Sequence, residues 1–303
     1  MKYINSILDI IGNTPLLKLN NLGVKEGVNI FAKLEGENPG GSVKDRVGVF
    51  MIKDAEDRGI LKSGYTIVEA TAGNTGIGVA LAAINKGYNI IFVVPEKFSV
   101  EKQTLMKALG ATIISTQRED GMLGAIDKAN QLLNEIPNSI SLKQFENEAN
   151  PKSHYETTGP EIYDALEGKI DYFVAGAGSG GTFSGVMKYL KEMNEDIKGI
   201  LVDPYGSTLG GGEEHCYDIE GIGNNFVPST MDMNLVNLVT KITDDEAVNM
   251  VKLIAVKEGL IVGSSSGAAI AAAIKLGATI ESGNIVVILP DRGDRYFSKS
   301  IYN

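Results

Sequence analysis

Thr66-Ile67-Val68-Glu69-Ala70-Thr71-Ala72-Gly73-Asn74-Thr75-Gly76-Ile77-Gly78 decides the fold. Four of its first five residues are apolar or β-branched, which reads as a buried strand. It runs without a linker into a loop of small polar residues, and then into Val79-Ala80-Leu81-Ala82-Ala83, which reads as a helix. Strand, short loop, helix is the repeating unit of a parallel α/β sheet. The same pattern recurs outward in both directions. Asn29–Leu34 is a strand that delivers the chain to Asn38-Pro39-Gly40-Gly41-Ser42-Val43-Lys44-Asp45-Arg46, a tight turn followed by a helical run. Downstream, Asn89–Pro95 and Ala111–Ser115 read as strands, Ser99 with Lys102 as a helix start, and 124–133 as a helix.

A second run of the pattern begins near Asn150-Pro151. Thr158-Gly159-Pro160-Glu161 opens a helix, and Tyr172–Gly176 is a strand leading into Ala177-Gly178-Ser179-Gly180-Gly181-Thr182 and the helix Phe183–Leu190. Gly199–Asp203 is a strand, and Thr243-Asp244-Asp245-Glu246 starts a helix with acidic residues at its positive end. Ser264-Ser265-Ser266-Gly267 precedes the helix Ala268–Ile274, and Ile285–Pro290 is a last strand. The predicted fold is α/β with parallel-rich twisted sheets and flanking helices.

The chain has 303 residues, 43% hydrophobic and 22% charged, enough for one large domain or two. A net charge of −10 disfavours nucleic acid or an anionic membrane surface as partner. The longest apolar runs are strand length, far short of a membrane span, and no signal peptide is visible at the N-terminus, so a cytoplasmic location is expected. The single cysteine, Cys216, excludes an internal disulfide, and with His154 and His215 as the two histidines no metal site is expected. Both histidines read as surface or satisfied polar residues.

The loops carry the chemistry. Lys44 stands where a loop becomes a helix N-terminus, an end that attracts anions and disfavours an ammonium. That setting suits an amine acting as a nucleophile; the alternative is a solvated first-turn lysine. Gly178–Thr182 is either a phosphate cup, with N–H groups converging at a helix start, or a glycine turn needed for strand–helix packing. It lacks the Gly-Lys-Thr/Ser ending of a nucleotide P-loop. Thr71–Gly76 is a second cup of carboxylate size, or a helix cap. Ser264–Gly267 offers hydroxyls at a third helix start, where capping is the simpler reading. A lysine, a phosphate cup, a carboxylate cup and a hydroxyl together are what a pyridoxal-phosphate site requires.

The same residues resemble the cysteine synthase and cystathionine β-synthase family, the β-replacement branch of fold type II pyridoxal-phosphate enzymes (tryptophan synthase β-like). The likeness runs through Ile11–Pro15, Asn38–Arg46, Thr71–Gly78, Gln144–Asn147, Asn150-Pro151, Thr157–Glu161, Gly178–Thr182, Gly221-Ile222-Gly223 and Gly263–Ala268. It implies Lys44 as the Schiff-base lysine and acid/base for the α-proton, Asn74 as partner of the cofactor's phenolic oxygen, and Gly178, Ser179, Gly180, Gly181 and Thr182 as its phosphate cup. Ser265 would face the pyridine nitrogen, a neutral partner that favours prompt β-elimination. Thr71, Ala72, Gly73, Thr75, Gln144 and Gly223 would bind substrate, and Asp232 would act near the second substrate unless it is a simple turn or cap.

The resemblance also implies a smaller mobile domain, 38–147, and a larger one, 1–37 plus 148–303, a homodimer, and a possible serine acetyltransferase partner. The expected reaction replaces the β-substituent of an L-alanine derivative through α-aminoacrylate. Two departures from the family pattern, Ala72 in a loop that usually reads T-S-G-N-T-G and the stretch Asp203–Ser207, lean the expectation toward L-cysteine or L-serine as donor. Sulfide would then be released and a thioether or serine formed. The alternatives are a plain cysteine synthase using O-acetyl-L-serine and sulfide, a serine or threonine dehydratase, and a catalytically silent binding or regulatory homologue.

Overall fold

The computed structural model describes every residue except Met1, Lys2, Ala72, Lys97 and Phe98. Ala72, named above for the substrate grip, lies outside the described residues. In chain order the elements are β1 (Leu16–Leu19), β2 (Val28–Leu34), α1 (Lys44–Asp57), β3 (Thr66–Ala70), α2 (Asn74–Ala82), β4 (Asn89–Pro95), α3 (Val100–Ala108), β5 (Thr112–Thr116), α4 (Gly121–Glu135) and β6 (Ser139–Ile140). There follow α5 (Ala149–Ser153), α6 (Gly159–Ala165), β7 (Tyr172–Gly176), α7 (Gly181–Met193), β8 (Lys198–Pro204), β9 (Leu238–Ile242), α8 (Asp244–Glu258), α9 (Ser264–Thr279) and β10 (Gly283–Leu289).

The chain divides into two compact units. The first comprises Met1–Ile11 and Asn38–Ala149, the second Gly12–Glu37 and Asn150–Asn303. The N-terminal eleven residues thus group with the first unit, whereas the sequence reading placed them with residues 12–37.

The first unit holds a parallel sheet in the order β5-β4-β3-β6. Its strands alternate between two cores. Ile67 and Phe92 face one core with Val47, Met51 and Met106, while Val68 and Val93 face the other with Ala125, Ala129 and Leu132. With both faces covered, the strands read as continuous apolar runs rather than as an alternating pattern. Chain order runs outward from β3 through β4 to β5, then returns to the other side of β3 with β6. The carboxyl end of β3 is therefore a topological switch point, the place where open α/β sheets bind ligands.

The second unit holds the sheet β1-β2-β10-β7-β8-β9, parallel apart from the β1–β2 pair. Val174, Ile200 and Val287 face a core shared with Ala268–Ala273 of α9, and Phe173, Leu201 and Val286 face one shared with Phe183, Val186 and Leu190 of α7. Its switch point lies between β7 and β10. β6 and β9 were not foreseen: two residues of β6 carry no periodicity, and β9 (LVTKI) mixes polar with apolar positions. The helix expected to open at Thr158 is already under way, because α5 leads through a π-helical segment, His154–Thr158, directly into α6.

Candidate active site

In the first unit, the turn before Lys44 is closed by the Gly41 N–H donating to the Asn38 carbonyl at 2.7 Å, with Gly41 left-handed at φ +77. The Gly40 N–H donates to Asp45 Oδ2 at 2.5 Å, so the first turn of α1 holds its own approach loop. Lys44 is the first residue of α1, partly buried, and the preceding Val43 brings no capping side chain. α1 and α2 then cross at two glycines. A methyl group on Gly48 would overlap the Gly78 carbonyl, and one on Gly78 would overlap the Lys44 carbonyl. Backbone-to-backbone approach fixes Lys44 beside the first turns of α2.

That helix starts at Asn74 after an N-cap, Gly73, that has no side chain to satisfy its first N–H groups. The N-cap position considered for Thr71 or Asn74 is taken by Gly73: Asn74 is already helical, and Thr71 Oγ1 accepts a long bond, 3.5 Å, from the Gly73 N–H. Thr71 and Thr75 are buried, and Thr75 Oγ1 donates to Gln144 Oε1 at 2.6 Å. Thr75 follows β3 and Gln144 follows β6, so the switch point brings together two residues 69 apart in sequence. Lys102, seen in the sequence only as part of a helix start, is also buried here. A Cβ on Gly73 would stand 3.8 Å from its Nζ, which adds a cation beside the cup.

In the second unit, Gly178–Thr182 follows β7 at the other switch point. Gly180 is the N-cap of α7, left-handed at φ +84 and without a capping side chain. The loop is held from behind. Asn150 Nδ2 donates to Ser179 Oγ at 2.8 Å, Thr230 Oγ1 donates to the Ser179 carbonyl, and Asn224 Nδ2 donates to the Gly178 carbonyl. The Gly223 N–H donates to the Ala177 carbonyl at 2.9 Å, which fixes Gly221-Ile222-Gly223 against the cup. Glycines at 178, 180 and 181 also satisfy packing, since a methyl at each would overlap the Gly221 carbonyl, Met231 or Asn150. The packing reading of this loop therefore holds.

Thr182 Oγ1 lies 3.1 Å from Nε2 of the fully buried His154, whose Nδ1 lies 2.9 Å from Thr158 Oγ1. His154 is thus a satisfied core histidine, as expected, but one set directly behind the cup. Asp203, from the stretch noted in the sequence, is buried and accepts from Lys241 Nζ at 2.6 Å and from the Gly210 N–H at 2.9 Å. Within that stretch, Ser207 Oγ exchanges bonds with the backbone of Asn224, supporting the same loop.

Ser265 is buried in the first turn of α9, which begins at Gly263 without a side-chain cap. The serines are therefore helical rather than capping, and Ser264 Oγ instead accepts from the Glu220 N–H at 3.1 Å. Tyr296 backs Gly263 and donates to Asp291 Oδ2 at 2.6 Å; burial and that carboxylate push its phenol well above the ordinary value. A cavity of about 350 Å³ opens beside Val262 at the carboxyl ends of β2 and β10, lined by Glu37, Asp291, Arg292 and Asp294 over an apolar floor. Asp232 is exposed, and its carboxylate caps a 3-10 turn by accepting from the Asn234 N–H at 3.0 Å and Nδ2 at 2.9 Å.

These residues fit pyridoxal phosphate. An α7 N-terminus with no side chain of its own over it, flanked by the Ser179 and Thr182 hydroxyls, suits a phosphate dianion. Each unit also carries a further group of the right chemistry: the buried Ser265 hydroxyl in the second and the Lys44 amine in the first. The sequence reading missed the supports Asn150, Asn224, Thr230 and His154, whose role arises only from positions far apart in the chain.

The family model described as pyridoxal-phosphate dependent enzyme matches residues 7–291. An O-acetylserine dependent cystathionine beta-synthase of Bacillus subtilis (strain 168) is 54% identical over 303 residues, covering 100% of this chain and 99% of its own length. A cysteine synthase of Helicobacter pylori (strain ATCC 700392 / 26695) is 47% identical over 305 residues, with both chains covered to 100%. Among solved structures, an O-acetylserine dependent cystathionine beta-synthase from Helicobacter pylori superposes with a TM-score of 0.95 at 46% identity, covering 100% of each chain. A hydrogen sulfide-producing enzyme from Fusobacterium nucleatum gives 0.93 at 39%, covering 97% of this chain and 100% of that one. With that model matched along nearly the whole chain and relatives of this identity, the chain belongs to the pyridoxal-phosphate dependent enzymes, in the cysteine synthase and cystathionine β-synthase family of β-replacement catalysts.

Proposed function

We propose that the enzyme replaces the β-substituent of O-acetyl-L-serine or L-cysteine with a thiol and forms a thioether. Acetate leaves in the first case and sulfide in the second. The reading of the site is carried by the Thr75–Gln144 hydrogen bond at the switch point of the sheet whose α1 begins with Lys44. The choice of a thiol acceptor draws on the printed names of the Bacillus subtilis relative and of the Helicobacter pylori structure. Sulfide as a leaving group draws on the Fusobacterium nucleatum neighbour.

Bound pyridoxal phosphate supplies the electron sink that makes the donor's α-proton acidic. The residues of this chain do the rest. Gly178–Thr182 would hold the phosphate, the Asn74 amide would donate to the phenolic oxygen, and the Ser265 hydroxyl would face the ring nitrogen without imposing charge on it. Thr71, Gly73, Thr75 and Gln144 grip the donor carboxylate, with Ala72 in the same loop and the Lys102 ammonium beside it. Lys44 Nζ takes the α-proton, holds it while the Cβ–O or Cβ–S bond breaks and the substituent leaves as acetate or hydrosulfide, and returns it to Cα once the acceptor, entering as a thiolate that has given its proton to solvent, has bonded to Cβ. Gly223 borders the donor and Asp232 the acceptor. A homodimer and a docked serine acetyltransferase belong to this proposal through family resemblance, and light scattering with and without the acetyltransferase reads both.

Three rates measured side by side test the reading: thioether from O-acetyl-L-serine plus homocysteine, sulfide from L-cysteine plus homocysteine, and cysteine from O-acetyl-L-serine plus sulfide. Thioether formation is expected to lead. Fast cysteine formation with negligible thioether would replace the proposal with a plain cysteine synthase. Lys44→Ala should fold and lose turnover in all three, and full activity in that variant would remove Lys44 from the chemistry.

A further inference from the structure

β6 is only two residues long. It pairs Ser139 with Thr66 and Ile140 with Ile67, and there the backbone ladder to β3 stops. Beyond that point a side chain of β3 takes over. Glu69 Oε1 accepts from Ser141 Oγ at 3.0 Å, from the Lys143 N–H at 3.2 Å and from the Leu142 N–H. One carboxylate oxygen thus gathers the three residues that continue β6 and holds them where further strand would have run. The turn needs holding, because Lys143 is left-handed at φ +54 with a side chain that disfavours that region. The next residue is Gln144, whose Oε1 accepts from Thr75 Oγ1 at 2.6 Å. Glu69, the 141–143 turn, Gln144 and Thr75 form one continuous path across the switch point.

We propose that Glu69 is a positioning residue for the amino-acid donor: by fixing the 141–143 turn it aims Gln144 into the carboxylate grip. This rests on the reading of Thr75 and Gln144 given above. In this proposal the glutamate acts on the donor through the turn it holds. Burial pushes the Glu69 carboxyl up to about 7, against the pull of the Ser141, Leu142 and Lys143 donors and the Lys143 charge. A withdrawn carboxyl at that position serves the turn rather than solubility.

The test is steady-state kinetics on the cofactor-loaded enzyme with Glu69→Ala, Glu69→Gln, Glu69→Asp, Gln144→Ala and the Glu69→Ala/Gln144→Ala pair. Bound cofactor is read from its absorbance. Loss of aim should raise the donor KM about tenfold in Glu69→Ala, as expected for sub-ångström to ångström misplacement of a positioning group, with acceptor KM and cofactor content unchanged. Glu69→Gln keeps an acceptor oxygen in place and should recover most of that loss. The pair should be no worse than Gln144→Ala alone, since both changes act on one interaction. A simple structural strut would instead lower stability and cofactor content without a donor-selective KM.

A wild-type donor KM in folded Glu69→Ala, beside a raised one in Gln144→Ala, overturns the positioning role and leaves the grip standing. A wild-type donor KM in Gln144→Ala overturns both and locates the error in the grip. Where Glu69→Ala does not fold, Glu69→Asp decides, because its carboxylate is one methylene short of the turn: a raised donor KM supports the role and an unchanged one overturns it.

Discussion

The carbonyl oxygen of Lys44 rests against the bare α-carbon of Gly78, and the Gly78 carbonyl rests in turn against Gly48. At these two glycines α1 and α2 therefore approach through main chain. Gly78→Ala should cost about 1–3 kcal/mol, as overpacking of a tight contact does, and should lower turnover by shifting the first turn of α1. Thermal unfolding and steady-state rates on the same sample check both effects.

His154 links two threonine hydroxyls, those of Thr158 and Thr182, on the core side of the Gly178–Thr182 loop. His154→Phe keeps an aromatic ring but removes the nitrogens facing Thr158 and Thr182, at a cost of about 1–3 kcal/mol that falls chiefly on the buried Thr158 hydroxyl. Thr182 then loses its orientation, so the variant should release cofactor faster on dialysis than the wild type. Equal retention would show that the Thr182 hydroxyl needs no such support.

Glu69 also gives a signed pH dependence. Its folded value, about 7, lies above the ordinary 4.5, so between those two pH values the folded state binds more protons than the unfolded one. Stability contributed by this group is therefore present below pH 4.5 and lost as pH rises toward 7. Glu69→Gln cannot titrate. Denaturant midpoints collected across this window should fall less steeply with pH in Glu69→Gln than in the wild type, and parallel curves would count against the shift.

Asp232 caps Asn234, a duty that asparagine performs equally well. Asp232→Asn should accordingly fold with an unchanged melting temperature while altering the ratio of thioether to serine when thiol and water compete. An unchanged product ratio would leave Asp232 as a cap and nothing more.

The strands, their parallel pairing and the loop lysine were legible because each is written locally. A buried parallel strand is an apolar run, and Thr243–Glu246 forms the capping box its residues promise. The serine cluster misled for an equally local reason: serine caps helices often, yet here Gly263 takes the N-cap and the serines go inside. β6 was invisible because two residues cannot show a period.

By itself the sequence determined the α/β class and the pyridoxal-phosphate chemistry. Loop composition and helix-start chemistry act over a few residues, so they can be read in a line. Only the tertiary structure decided that Glu69 replaces a strand ladder, that His154 stands behind Thr182, and that Gly48 and Gly78 let two helices meet. Each of these joins residues 28 to 74 apart in sequence. Hydrogen bonds and excluded volume act through space over a few ångströms, and no local pattern in the chain records which distant residue will arrive there.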